Sequence, residues 1–317
     1  MIELTKLGWL FGYFIICTCS WADISIPGAP VWSTPVIGEK VAHDDQLTLK
    51  RITGSPMVYL QEEVDDRFSV PDWFPMQHEP MPNIVKYGKR PDVWACASCH
   101  LVSGFGRPES SSLAGLNKEY MLQQLEDFAS GQRLDYTGYM NRIASLLSEA
   151  EKKDAAKWFA SLVSASFIVV KEDTFVPKTF TDNSRMRQIT DNSNLELLDY
   201  RIIEVPEDIE QARLQSPKAK YISYVPVGSL ARGKELVETG AGRTSVCFDC
   251  HGQTLSGTES VPSIAGNFGI YTLRQLYGFK SGTRKGKQSA IMQASVVKLS
   301  DRDMVDISAY LSSLKRR

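Results

Sequence analysis

Two cysteines three positions apart, followed at once by a histidine, occur twice in the chain, as Cys96-Ala97-Ser98-Cys99-His100 and as Cys247-Phe248-Asp249-Cys250-His251. This spacing is the attachment signature of a c-type haem: each thiol can form a thioether to one vinyl group of a single porphyrin, and the adjacent imidazole can reach its iron. A structural zinc site needs four ligands gathered in short loops, whereas the two clusters lie 151 positions apart with one histidine each. A thioredoxin-like dithiol has no need of the histidine. The expectation is two covalently bound haem c groups, held by Cys96, Cys99, Cys247 and Cys250, with His100 and His251 on the irons.

The N-terminus agrees with that chemistry. Lys6 precedes a short apolar run, Leu7 to Cys17, and Ser20 and Ala22 fit the −3 and −1 positions of a signal-peptidase site. Residues 1–22 therefore read as a signal peptide and place the protein in the periplasm. The apolar run is short for a membrane anchor, and bulky Ile16 and Thr18 before Cys17 and Cys19 argue against a lipoprotein. Cleavage would leave four cysteines, all within the two pentapeptides, although exported proteins usually carry disulfides.

At 317 residues the chain is long enough for two compact domains with additions, and its net charge of −1 gives no electrostatic footprint for nucleic acid. A repeat supplies the two units. Leu113-Ala114-Gly115 matches Ile264-Ala265-Gly266, Tyr120 matches Tyr271, Gln124-Leu125 matches Gln275-Leu276, Phe128 matches Phe279, and Arg133 matches Arg284, all at the offset of the cysteines. After one inserted residue Met140 pairs with Met292, Leu147-Ser148 with Leu299-Ser300, Trp158 with Tyr310 and Leu162 with Leu314.

Apolar spacing predicts a helix after Asn117 that stops at Gly131, and its partner stopping at Gly282. Ser148-X-X-Glu151 and Ser300-X-X-Asp303 read as capping boxes opening a closing helix in each unit. A helix from Leu230 to Val237 leads into the second motif, and its counterpart near Ile84 and Val85 is shortened by Pro82 and Gly88.

With Cys-X-X-Cys-His, Leu-Ala-Gly, Tyr, Gln-Leu, Phe-X-X-Gly-X-Arg, a methionine and a closing helix all doubled, the chain resembles the tandem dihaem class I cytochromes c, the cytochrome c4-like group. The resemblance covers residues 81–164 and 229–317 and implies a mainly α fold of two small helical domains, each around one haem with histidine and methionine as axial ligands. Met140 lies 40 residues after His100 and Met292 lies 41 after His251, each in a loop-like stretch before the closing helix. They are the expected sixth ligands, since thioether sulfur favours ferrous iron. Met121 and Met304 lack methionine partners and read as core, while His43 and His78 lie outside both units, with His78 as the reserve ligand. In related cytochromes a proline carbonyl orients the proximal histidine. Pro262 stands there in the second unit, but Ser111 replaces it in the first, and Leu101 replaces the usual Gly252, so the first loop is expected to differ.

Residues 23–80 and 165–228 fall outside the repeat. The first is acidic and proline-rich; the second holds strand-like runs at 167–170, 198–203 and 221–225, so an irregular, partly β extension and insertion are expected to pack on the units and orient them. Charge is uneven: 229–317 has thirteen basic against seven acidic residues, and 23–80 has four against ten. Arg284, Lys285 and Lys287 form a candidate rim for an acidic redox partner.

The expected function is a periplasmic dihaem electron carrier, without a catalytic residue, passing single electrons from a respiratory or dehydrogenase donor to a terminal acceptor. A dihaem peroxidase would need one open iron and an acid–base group. A cytochrome subunit of a periplasmic dehydrogenase complex, with membrane or complex association, would be chemically the same as the carrier but permanently bound.

Overall fold

In the computed structural model of the chain, residues 26–34, 38, 41, 45–258 and 260–316 are described. The signal-peptide segment and His43 lie outside them.

Residues 45–80 hold little regular structure, only the antiparallel pair β1 (Leu49–Lys50) and β2 (Tyr59–Leu60) and a single helical turn, α1 (Gln61–Asp65). A helical unit follows, with α2 (Asn83–Lys86), α3 (Cys96–His100), α4 (Lys118–Ala129), α5 (Tyr139–Leu146) and α6 (Glu149–Ser161). Next comes a mostly β stretch of β3 (Ile168–Asp173), β4 (Phe175–Thr181), β5 (Arg187–Leu197), β6 (Ile203–Pro206), the short α7 (Ile209–Arg213) and β7 (Tyr221–Pro226). A second helical unit repeats the order of the first: α8 (Ser229–Thr239), α9 (Cys247–His251), α10 (Gly269–Ser281), α11 (Ser289–Val296) and α12 (Asp301–Ser313). The mainly α class with partly β additions is the architecture expected.

Local chemistry sets the helix ends. Asn117 Oδ1 accepts from the Glu119 and Tyr120 amides to open α4, and both capping boxes form, at Ser148 with Glu151 and at Ser300 with Asp303. Trp158 and Phe159 of α6 pack with Tyr120, Met121 and Ile143 in one core, and Met304, Ile307 and Leu311 of α12 pack with Leu236, Leu273 and Leu299 in another. Met121 and Met304 are buried there, as expected. The second unit has a tight crossing that the first lacks: a Cβ on Gly233 of α8 would lie 2.0 Å from the Asp306 carbonyl of α12, and beside it Arg232 grips the Asp306 carboxylate at 2.7 and 2.8 Å.

The β stretch pairs β3 parallel to β7 and β6 antiparallel to β7, while β4 and β5 make a separate antiparallel hairpin. It wedges between the helical units. Phe167 stacks on Phe105 at 4.9 Å on one side and meets Phe268 at 5.2 Å on the other. Buried Glu204 of β6 accepts from the Gly269 and Ile270 amides at the start of α10, at 2.8 and 3.2 Å. Residues 45–80 lie against both this stretch and the first unit. Trp73 Nε1 donates to the Leu214 carbonyl at 2.7 Å, Ala95 N donates to the Arg67 carbonyl at 2.9 Å, and Val70 joins the first helical core. Among the described residues, no helix is long and apolar enough to cross a membrane.

Candidate functional site

α3 and α9 are each five residues long, so the cysteines at i and i+3 and the histidine at i+4 share one face of a single helical turn. In both units that face lines the same continuous cavity, of about 720 Å³. His100 Nδ1 lies 2.8 Å from the Ser111 carbonyl oxygen, and His251 Nδ1 lies 2.8 Å from that of Pro262. A carbonyl only accepts, so Nδ1 carries the proton in each ring and Nε2 keeps its lone pair. Burial pushes both imidazoles below their ordinary value, which favours the neutral form that binds metal.

The same burial acts oppositely on the thiols, driving Cys96 up to about 12 and Cys247 up to about 11. Zinc sites and redox dithiols need thiolates, which this environment penalises, whereas a thioether is neutral and loses nothing by being buried. Among the described residues there is also no cluster of metal-binding side chains beyond these. The donor set fits a thioether-bound haem.

The two departures in the first loop have little geometric consequence. Ser111 offers its backbone carbonyl where Pro262 offers its own, so the side chain is immaterial to the bond. Leu101 adopts φ 63°, ψ 157°, close to Gly252 at φ 79°, ψ 162°. That region is almost reserved for glycine, and Leu101 holds it with a side chain that is 5% exposed. The second unit makes a reciprocal exchange, placing Leu255 at φ 54° where the first has Gly104 at φ 69°.

Met140 and Met292 both line the cavity, on the paired helices α5 and α11 rather than in loops. The short helices begin immediately before Met140 and three residues before Met292, so the loop expectation is corrected: local turns wind up once their apolar faces have a core to meet. His78 is not in the cavity. Its ring bonds Asp72 at 3.1 Å and the Glu79 carbonyl at 2.8 Å and packs edge-on to Trp158.

Where the units meet, the repeat partners close a near-symmetric network. Arg133 donates to Gln124, to Tyr271 and to Gln275, and Arg284 donates to Gln275, to Tyr120 and to Gln124, all between 2.8 and 3.2 Å. Arg284 is only 8% exposed, so it cannot belong to an external rim, and the expectation for it is corrected; Lys285 and Lys287 are exposed. Tyr120 and Gln124 of the first unit, acceptors invisible in one copy of the repeat, draw Arg284 inward.

Both guanidiniums line the cavity and hydrogen-bond through their side chains to neutral amides and phenols, an arrangement that calls for an anion beside them. The buried Tyr136 hydroxyl and Arg107 Nε, also on cavity-lining residues, have no hydrogen-bond partner among the described residues. Such donors suit the carboxylates that a haem carries. The cavity is also lined by Trp94, Tyr136, Arg107 and Arg185, none of which the sequence singled out. Trp94, an aromatic two positions before Cys96, had the stronger signal; Arg185 lies in the non-repeated stretch and had none.

The family model for cytochrome c matches residues 230–315. A cytochrome c-554(547) from Halothiobacillus neapolitanus is 35% identical over 96 residues, covering 28% of this chain and 99% of that protein. A cytochrome c4 from Pseudomonas aeruginosa is 24% identical over 225 residues, covering 69% of this chain and 83% of the relative. A thiosulfate dehydrogenase electron acceptor from Thiomonas intermedia is 21% identical over 228 residues, covering 70% and 80%.

Proposed function

This chain belongs to the cytochrome c family and binds haem c covalently, and from that premise we propose that it is a dihaem electron carrier of the periplasm in which Cys96, Cys99 and His100 hold one group and Cys247, Cys250 and His251 the other. Met140 and Met292 are the remaining iron ligands. The observation that carries the proposal is the matching of the two sites: each histidine has Nδ1 on a carbonyl at 2.8 Å, and each site has a methionine at the paired position of the same cavity.

Haem supplies a one-electron iron couple. The chain's own residues prepare for it. The carbonyls of Ser111 and Pro262 fix each imidazole with Nε2 as the ligand nitrogen, which also raises its donor strength. The thioether sulfurs of Met140 and Met292 would fill the position that oxygen or peroxide would otherwise take and favour the reduced state. Arg133 and Arg284 hold positive charge at the meeting point of the units, where it can offset two sets of carboxylates. Nothing in such a cycle requires a proton to be moved by a side chain.

Two paired sites of one design support transfer over peroxide chemistry, which needs one of them open. Kinship with a thiosulfate dehydrogenase electron acceptor over 80% of that protein's length favours one further reading, a carrier that serves a dehydrogenase and docks to it. A spectroelectrochemical titration of the purified holoprotein, with and without carbon monoxide and peroxide, tests the proposal. Two low-spin centres indifferent to both reagents are expected; a high-spin centre that consumes peroxide would overturn it.

A further inference from the structure

Paired positions around the two sites differ sharply in exposure. In the first unit Trp94 lies against Tyr139 of α5 with ring centroids 4.6 Å apart, and the Arg67 guanidinium sits 4.2 Å above the indole with Arg142 at 5.6 Å. The repeat partners of Trp94 and Tyr139 are Ser245 and Ile291, so the second unit carries no indole at the matching position. Ser245 is exposed and Ile291 is 66% exposed. The motif turns follow the same rule: Ala97 and Ser98 are buried and Cys99 is half-buried, whereas Phe248 is half-buried and Asp249 and Cys250 are exposed. Arg67 and Val70, which cover the first turn, belong to the segment before the repeat.

We infer that Trp94, Arg67 and Arg142 form a lid over the first site, and that the uncovered face of the second, around Ser245, Cys250 and Ile291, is the single port through which electrons enter and leave, docking a redox protein with an acidic contact surface. The inference rests on the electron-carrier proposal. Charge complementarity identifies the partner. Exposed Lys287 lines the cavity with Ser245 and Ile291, exposed Lys285 lies two positions before it and exposed Lys298 just beyond α11, while the exposed acids Asp249 and Asp301 lie on the motif turn and at the start of α12. The second unit holds thirteen basic and seven acidic residues, while residues 45–80, which carry part of the lid, hold three and seven. The two ends of the molecule thus differ in sign, which orients an acidic partner toward the second site before contact. Exposed Ile291 and Val297, at 66% and 61%, give such a partner an apolar centre within the basic rim.

Two measurements on the ferrous holoprotein test this. Hexacyanochromate(III), a redox-inert paramagnetic anion, should broaden amide signals of residues 244–250 and 285–298 and leave 94–99 sharp; equal broadening at both sites overturns the inference. In stopped flow, each hexacyanoferrate(III) takes one electron from one iron and becomes hexacyanoferrate(II). Lys285→Glu with Lys287→Glu should slow this about tenfold at low ionic strength and flatten its salt dependence, and Glu62→Lys with Glu63→Lys should not. An equal loss in both variants overturns the port.

Trp94→Ser should create a second broadened region at 94–99, and Ser245→Trp, which does not depend on removing a packed indole, should protect 244–250. Failure of both overturns the lid. Salt-sensitive dimers in sedimentation, with the port amides broadened only when the dimer is dissociated, would make the occupant a second copy and overturn the separate partner. If the anion broadens the port but hexacyanoferrate(III) never changes the haem absorbance, the carrier proposal falls and the docking face stands.

Discussion

Replacing Glu204 with glutamine isolates a buried acid that joins the β stretch to the second helical unit. Glu204 is 2% exposed, and burial raises its carboxyl from 4.5 to about 7, even though the Gly269 and Ile270 amides pull the other way. An acid with a raised folded-state value costs nothing below about 4.5, where folded and unfolded chains are both protonated. As pH climbs toward 7 the unfolded chain ionises first, so stability falls across that window and levels off above it. A displacement of that size corresponds to about 3 kcal/mol. Glutamine keeps an acceptor for α10 and cannot ionise.

Urea denaturation followed by circular dichroism from pH 4.5 to 8 should show the native holoprotein losing about 3 kcal/mol more than Glu204→Gln over the window, with the variant at least as stable at pH 8. Parallel profiles for the two proteins would refute the reasoning, because the carboxyl would then not titrate between 4.5 and 7. A variant weaker at pH 8 would mean that the ionised carboxylate at the helix N-terminus outweighs its desolvation.

Met140→Leu and Met292→Leu should each convert one of two haems into a carbon monoxide-binding form, with little change in packing volume; an unchanged spectrum would remove that methionine from the iron. Gly233→Ala should destabilise the protein by about 1–3 kcal/mol in urea titrations, reversing the usual helical gain of alanine, since its Cβ would sit 2.0 Å from the Asp306 carbonyl. Pro262→Ala should leave the low-spin spectrum of the second site intact, because Ser111 provides the same 2.8 Å contact in the first without a proline ring. Loss of the low-spin form would show that the ring itself holds the carbonyl.

Much of the helical architecture was legible because its signals are local. Asn117, Ser148 and Ser300 cap the helices they precede, and apolar spacing marks the faces that meet the cores. The paired motifs and methionines were legible because the sequence contains its own comparison, one unit against the other. That comparison misled where a difference of residue type left the backbone unchanged, as at Leu101 and Ser111. Met140 and Met292 looked like loop residues because short helices are marginal until packed.

The sequence by itself determined the chemistry of the two sites, since thiol, thiol and imidazole within one helical turn have a use that depends on few other contacts. Only the tertiary structure decided that the sites are unequal in access. Arg67 is 27 positions before Trp94 and Arg142 is 48 after it, and Arg284 turns inward because Tyr120 and Gln124, some 160 positions earlier, receive it. Burial and charge exposure at such positions arise from contacts distant in the chain, which neither spacing nor periodicity encodes.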